Sequence, residues 1–299
     1  MTAHFIDGRA EAGKLLARVK SRIQAFTASY ARRPCLAVIL VGDNIASAVY
    51  VRAKMRCAVE AGISSLPYHL PENTSEDELL RLLDDLNDSS TVDGILVQLP
   101  LPPQISKDRV LHHIHPEKDV DGFHPVNAGL LATGQPCVVP CTPHGCLQLV
   151  HTVRKELIGL DVVVVGRSTI VGRPAAQVFL NADCSVTIIH KDSQDVPGHC
   201  RDADILVVAA GHAGLVRRDW VKPGAIVIDV GINRIEGPSG PRIVGDVAFD
   251  EVREVAAAIT PVPGGVGPMT VATLMENTLF CAESRQKARS GLLLASAAL

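Results

Sequence analysis

Leu160-Asp161-Val162-Val163-Val164-Val165-Gly166-Arg167-Ser168-Thr169-Ile170-Val171-Gly172-Arg173-Pro174 is the stretch on which the fold turns. A short valine run that stops at a glycine and opens onto a helix is the strand–turn–helix of a doubly wound α/β domain. The run is apolar without alternation, which suits a parallel strand buried on both faces. The helix is expected to reach about Asn181, and a phosphate can sit at its N-terminus. Against the dinucleotide fingerprint Gly-x-Gly-x-x-Gly, Ser168 replaces the second glycine and Gly172 comes one position late. The context of strand, turn and helix therefore carries the reading more than the spacing does. Further apolar runs at 185–189, 204–208 and 225–230 continue the sheet.

The strand after the helix ends in Ile189-His190-Lys191-Asp192-Ser193. Enzymes that use NAD place an acidic residue there for the ribose hydroxyls. Here His190 and Lys191 come first and Arg167 is near, a set that favours the extra phosphate of NADP, while Asp192 keeps NAD open. Arg167 also reads as a solvated loop arginine, and His190 as a satisfied strand-end histidine.

Upstream, a second alternation predicts βαβαβ: strand 35–41, helix 47–61, strand 64–70, helix 75–87 and strand 94–98. A connector rich in proline and histidine fills 99–140, and a helix is expected after Thr142-Pro143, with Thr142 as N-cap and Pro143 in the first helical position. A long helix at 269–288 should return to the first domain. The expected division is 1–139, completed by the carboxyl-terminal helix at 270–299, and 140–269.

A chain of 299 residues, 47% hydrophobic and 20% charged, has material for two cores. A net charge of -3 without basic runs argues against nucleic acid and anionic membranes as partners. The amino terminus lacks a signal-peptide layout and no apolar run approaches bilayer length, so a cytoplasmic protein is expected. The eight cysteines include no Cys-x-x-Cys pair, and Cys137, Cys141 and Cys146 with His144 fit no standard zinc spacing, so no metal is expected.

Three segments carry candidate chemistry. Ser47, Tyr50 and Lys54 fall at helical spacing, which puts Tyr50 and Lys54 on one face. A lysine beside an aromatic ring can act on a planar substrate, although Lys54 alone reads as a surface residue. Asp93-Gly94-Ile95-Leu96-Val97-Gln98-Leu99-Pro100-Leu101-Pro102 ends a buried strand on a polar glutamine, at the strand end where α/β sheets bind ligands. Pro116-Glu117-Lys118-Asp119-Val120-Asp121-Gly122-Phe123-His124-Pro125 sets two carboxylates around a turn, where Asx chemistry is the alternative reading for both. His112, His113 and His115 before it read as helix-end residues. The glycines and prolines of Pro261-Val262-Pro263-Gly264-Gly265-Val266-Gly267-Pro268-Met269-Thr270 suit a ligand packed against bare backbone, with a rigid interdomain turn as the alternative.

Together with Gly42-Asp43-Asn44, Ala46-Ser47, Pro140-Cys141-Thr142-Pro143, Asp229-Val230-Gly231-Ile232-Asn233 and Glu276-Asn277, these segments closely resemble the bifunctional methylenetetrahydrofolate dehydrogenase/methenyltetrahydrofolate cyclohydrolase family, from about Gly42 to Asn277. The resemblance implies two α/β domains, the second an NADP-binding Rossmann domain, with folate in a cleft between them and a homodimer as the usual assembly. It implies NADP-dependent oxidation of 5,10-methylenetetrahydrofolate and hydrolysis of the methenyl product to 10-formyltetrahydrofolate, steps of one-carbon metabolism that feed purine biosynthesis. A dehydrogenase without the hydrolytic step is the alternative. Carried over by residue, Lys54 is the main catalytic group, Gln98 its hydrogen-bonding neighbour, Tyr50 the stacking ring and Asp121 the pterin anchor. Pro100, Gly264, Gly265 and Pro268 flank the folate. Gly166, Arg167, Ser168, Ile170, Val171, Gly172, His190, Lys191 and Ile232 hold the cofactor. The stretch from Lys191 to Cys200 fits the family pattern least well.

Overall fold

The valine run is buried from Val162 to Val165, as a parallel strand with neighbours on both sides requires. The computed structural model describes residues 2–237 and 240–296; residue 1 and residues 297–299 of the expected carboxyl-terminal helix lie outside the described residues. In chain order, β1 (His4–Phe5) and α1 (Gly8–Tyr30) precede β2 (Cys35–Val41), α2 (Ile45–Ala61), β3 (Ser64–Leu70), α3 (Glu76–Asp88) and β4 (Gly94–Val97). Three short helices follow: α4 (Lys107–His113), α5 (Pro125–Ala132) and α6 (Cys141–Val153). Then come β5 (Asp161–Val165), α7 (Gly172–Leu180), β6 (Ser185–Ile189), α8 (Val196–Asp202), β7 (Ile205–Val208) and β8 (Ile226–Asp229). A hairpin of β9 (Asn233–Ile235) and β10 (Arg242–Val244) leads to α9 (Phe249–Val252), β11 (Ala258–Ile259) and α10 (Val266–Ser296).

The chain divides into two compact units. One comprises Lys14–Val139 and the chain from Leu274, around a parallel sheet of order β3-β2-β4. All seven residues of central β2 are buried, whereas β3 is half exposed and carries Pro67, which an edge strand tolerates. Helix α3 begins with a reciprocal cap, in which Ser75 Oγ accepts from Glu78 N and Glu78 Oε2 accepts from Ser75 N. Leu79, Leu83 and Leu86 then fall on one face and join Ala37, Ile39 and Val97 in the core.

Buried charge fastens this unit. Asp93, fully buried, accepts from Arg32 Nη1 and Nη2 at 2.6 and 2.8 Å and from Cys35 N at 2.9 Å. Lys118, also buried, donates to the carbonyls of Leu86, Asn87 and Ser89 at 2.6–2.7 Å, satisfying groups that the end of α3 leaves unpaired.

The other unit, Met1–Gly13 with Pro140–Thr273, holds a six-stranded parallel sheet of order β1-β11-β8-β7-β5-β6. Val163, Val165, Leu206, Val208 and Val227 form its core with residues such as Cys200 and Val216. At the amino terminus the division departs from the expected one. His4 and Phe5 pair in parallel with Ala258 and Ile259, so the first thirteen residues belong with the second sheet. A two-residue strand has no periodicity by which to be recognised.

Three other expectations need correction. The connector at 99–140 holds two short helices, and some of its histidines, prolines and serines start them: His124 Nδ1 accepts from Val126 N, Pro125 opens α5, and Ser106 Oγ accepts from Arg109 N ahead of α4. Helix α6 starts at Cys141 after Pro140, not beyond Thr142, and the Thr142 hydroxyl meets that of Thr270 at 3.1 Å instead of capping. Helix α10 starts at Val266, within the glycine-proline segment. Pro268 is accommodated in its first turn, where backbone N–H groups have no helical partner.

Replacing Asp93 with alanine strands the Arg32 guanidinium and the Cys35 amide together. The unfolding midpoint in urea should fall by the equivalent of about 3–5 kcal/mol. A shift below about 1 kcal/mol in that titration would show the buried pair to be dispensable.

Candidate functional site

Lys54 and Gln98 lie 44 residues apart in sequence and meet through a hydrogen bond of 3.0 Å from Nζ to Oε1. The meeting follows from the sheet. Helix α2 leaves the carboxyl end of β2 through Gly42-Asp43-Asn44, with Asn44 Oδ1 capping Ser47 N, and Gln98 directly follows neighbouring β4. Nε2 of Gln98 donates to the Leu99 carbonyl at 2.7 Å, so the amide oxygen is turned to Lys54. Tyr50, one helical turn before Lys54, is 45% exposed, leaving its ring available to a ligand. Pro100, also exposed, follows a cis peptide bond after Leu99.

The two carboxylates of the 116–125 segment separate by role. Residue 119 bridges Ile95 of β4 in parallel, which brings this segment beside the strand that leads to Gln98. Asp119 is buried and accepts from His124 N at 2.7 Å and Asn127 Nδ2 at 3.0 Å, which is the turn chemistry. Asp121 makes neither bond. Burial pushes its carboxyl up to about 6, the Lys54 ammonium pulls it down, and the Asp119 charge adds to the rise. A lysine, an oriented amide, a ring and a carboxyl of raised pKa thus converge within one unit, a set able to bind a planar polar molecule and move a proton on it.

In the other unit, the turn from β5 to α7 closes on itself. Gly166 has φ +123°, and a side chain there would strike the Ala209 carbonyl; one at Gly172 would strike the Gly166 carbonyl. Both glycines are therefore required by close backbone packing, and Gly172, the late last glycine of the pattern, does the work of helix–strand contact. Ser168 Oγ accepts from Val171 N and Gly172 N at 3.2 Å each, taking up N–H groups of the first helical turn. Ile170 lies in the same turn.

Asp192 stands closer to the basic groups than the sequence implies. Its Oδ2 lies 3.7 Å from Arg167 Nη2 and 3.6 Å from His190 Nδ1, and its N–H donates to that Nδ1 at 3.2 Å. The Arg167 charge is thus partly compensated, a correction to the reading of an uncompensated phosphate site. Both partners are more than half exposed, so the pair is weak and readily exchanged. Lys191 is exposed beside it, and Ile232 is 55% exposed after β8.

The 261–270 loop also has an internal reason for its glycines. The Gly265 carbonyl occupies the space a side chain at Gly8 would need, and Gly265 itself is hemmed in by Pro261 and Thr260. Gly264 has φ +110° beside Arg9. Chain packing against the start of α1 thus accounts for Gly265 without a ligand.

Sequence reasoning missed Asp229 and Asp246. Asp229 ends β8 and accepts from the amides of Gly231, Asp246 and Val247 at 2.9–3.0 Å, and burial raises it to about 7. Asp246 is fully buried and accepts from four N–H groups in turn. The available signal was an aspartate within two residues of a glycine at the end of an apolar run, at Asp229-Val230-Gly231 and Gly245-Asp246.

Comparison with known proteins agrees with this architecture. Residues 6–121 match the family model of the tetrahydrofolate dehydrogenase/cyclohydrolase catalytic domain, and residues 140–286 that of its NAD(P)-binding domain. The bifunctional protein FolD of Methylorubrum extorquens is 70% identical over 95% of this chain and 93% of its own length. The bifunctional FolD methylenetetrahydrofolate dehydrogenase/cyclohydrolase of Campylobacter jejuni superposes with a TM-score of 0.91 at 49% identity, over 95% of this chain and 99% of that one. The Trypanosoma brucei dehydrogenase-cyclohydrolase, solved with NADP cofactor and inhibitor, gives 0.91 at 41% with the same coverage. With both models matched in order along most of its length, the chain belongs to the tetrahydrofolate dehydrogenase/cyclohydrolase family.

Proposed function

We propose that the chain oxidises 5,10-methylenetetrahydrofolate with NADP and hydrolyses the resulting 5,10-methenyl cation to 10-formyltetrahydrofolate. The observation that carries the reading is the Lys54–Gln98 hydrogen bond, set beside Tyr50 and Asp121 in a unit that matches the family's catalytic domain. Tyr50 offers a ring face to the folate, and Asp121 accepts from the N–H edge of the pterin. Pro100 adds a substrate contact within the same unit, whereas folate contacts at Gly264, Gly265 and Pro268 rest on the family resemblance alone.

In the hydrolytic step, water adds to the carbon of the methenyl bridge and loses a proton, after which the five-membered ring opens to the formyl amide. Lys54 Nζ takes up the proton that the water loses, while the Gln98 amide oxygen holds that Nζ in place. The presence of both residues in hydrogen-bond contact disfavours a dehydrogenase without cyclohydrolase activity.

The second unit fits a dinucleotide. Gly166 and Gly172 leave a turn of bare backbone, and Arg167, His190 and Lys191 gather basic groups at the end of β5 and β6. NADP held by these residues would supply the acceptor for the hydride lost from the methylene carbon. Arg167 exchanges its weak partner Asp192 for the 2′-phosphate, which guanidinium matches in two-point fashion. Ser168, Ile170, Val171 and Ile232 line the remainder of the cofactor site. No described helix is long and apolar enough to cross a membrane. A homodimer, a cytoplasmic location and a supply of formyl groups to purine biosynthesis complete the reading and rest on the family resemblance.

Lys54→Met should lower the rate of methenyl hydrolysis about a hundredfold or more. NADP affinity should stay unchanged, and a hydrolysis rate within about threefold of wild type would refute the assignment. Because the Asp121 carboxyl ionises only above about 6, the KM for folate should climb as pH falls through that value. Asp121→Asn should flatten this profile; a profile that persists in the variant would place the titrating group elsewhere. Arg167→Ala should raise the KM for NADP about tenfold with NAD use nearly unchanged. Equal losses with both cofactors would make Arg167 a support of its loop.

A further inference from the structure

The exposed loop after β7 takes its shape from below. Ala210, Gly211 and His212 all face solvent, yet their successive amides converge on one fully buried carboxylate: Ala210 N and Gly211 N on Asp246 Oδ2 at 2.7 Å each, and His212 N on Oδ1 at 2.9 Å. The same Oδ1 accepts Asn233 Nδ2 at 2.8 Å, from the segment after β8 that also carries exposed Ile232. Every one of these donors is a neutral N–H group.

Asp246 is itself held by Asp229. The carboxylate at the end of β8 accepts Asp246 N at 2.9 Å and Val247 N at 3.0 Å, fixing the turn that presents Asp246. Two glycines make room for the pair: a side chain at Gly231 would collide with Asp246, and one at Gly245 with Asp229. The arrangement continues towards the β5–α7 turn, because the Ala209 carbonyl, adjacent to the first amide that Asp246 holds, is the atom that closes the space over Gly166.

Strands β8, β7 and β5 are consecutive neighbours in the sheet, and ligands of such sheets lie outside the carboxyl ends of the strands. One carboxylate thus controls the loop after β7, the segment after β8 and, through Ala209, the backbone over the glycine turn after β5. We propose that Asp246 is a positioning residue of the dehydrogenase, whose buried carboxylate sets these loops in the arrangement that seats the dinucleotide. This rests on the NADP-binding role proposed above for the same unit.

Asp246→Asn replaces one acceptor oxygen with an NH2 group that opposes the amides it faces, without changing the side chain's size. In the full-length chain, calorimetric titration should show NADP binding weakened about tenfold or more, as loss of charge-assisted hydrogen bonds implies. Hydrolysis of added methenyl substrate, which needs no NADP, should stay within about twofold of wild type, since Tyr50, Lys54, Gln98 and Asp121 all lie in the other unit. NADP binding within twofold of wild type in a folded variant would overturn the proposal, and so would a parallel loss of hydrolysis. Should Asp246→Asn fail to fold, Asn233→Ala, which removes one donor of the set, should weaken NADP about threefold; unchanged binding would overturn the proposal. A wild-type chain that does not bind NADP at all would instead sink the underlying functional reading.

Discussion

A parallel strand buried on both faces leaves only its ends for chemistry. In each unit the central strands are apolar along nearly their whole length, so polar side chains that act on a ligand must come from the loops that follow them or the first turns of the next helices. Gln98 directly follows β4 and Lys54 lies in the third turn of α2, the helix that leaves adjacent β2, while the glycine turn, the 209–212 loop and Ile232 follow the ends of adjacent β5, β7 and β8. The placement of both candidate sites follows from this single constraint.

Loops at strand ends lack the ladder that holds the sheet, and this molecule fastens them with buried carboxylates. Asp93 ties the β2 and β4 starts to Arg32, Asp119 closes the turn that carries Asp121, and Asp229 and Asp246 together shape the exposed loops of the second sheet. Backbone N–H groups serve as most of the partners. A buried carboxylate left with unfilled acceptor positions is unfavourable, so each one specifies its surrounding backbone closely. Asp121 differs in kind, since it is half-buried, near Lys54, and held up to about 6.

Cofactor choice depends on weaker forces. The Arg167–Asp192 pair is solvent-exposed at 3.7 Å, and His190 shares the same carboxylate. Exposed pairs of this kind contribute about 0–1 kcal/mol, so a phosphate dianion can take over the arginine at little loss. The acidic residue that left NAD open in the sequence is thus paired with the arginine that favours NADP.

Most of the fold was legible in the sequence because strands, helices and the glycine turn are local. The valine runs, the helix at 75–87 and the Tyr50–Lys54 spacing each express their preference within a few residues. Where the elements were very short, as in β1, β11, α4 and α5, no period had room to develop, and the sequence was silent or misleading. The candidate site was partly legible: residues 50, 54, 98 and 121 read individually as ordinary surface, strand-end or turn residues, and the family resemblance gave them their roles and the Lys54–Gln98 contact. The family resemblance had paired Lys54 with Gln98 and singled out Asp121; only the tertiary structure gave Asp119 its turn bonds, drew Asp192 to Arg167 and tied the Asp246 amide to Asp229. Each of those contacts depends on which strands become neighbours and on what burial does to a charge, and neither quantity exists until distant parts of the chain have been brought together.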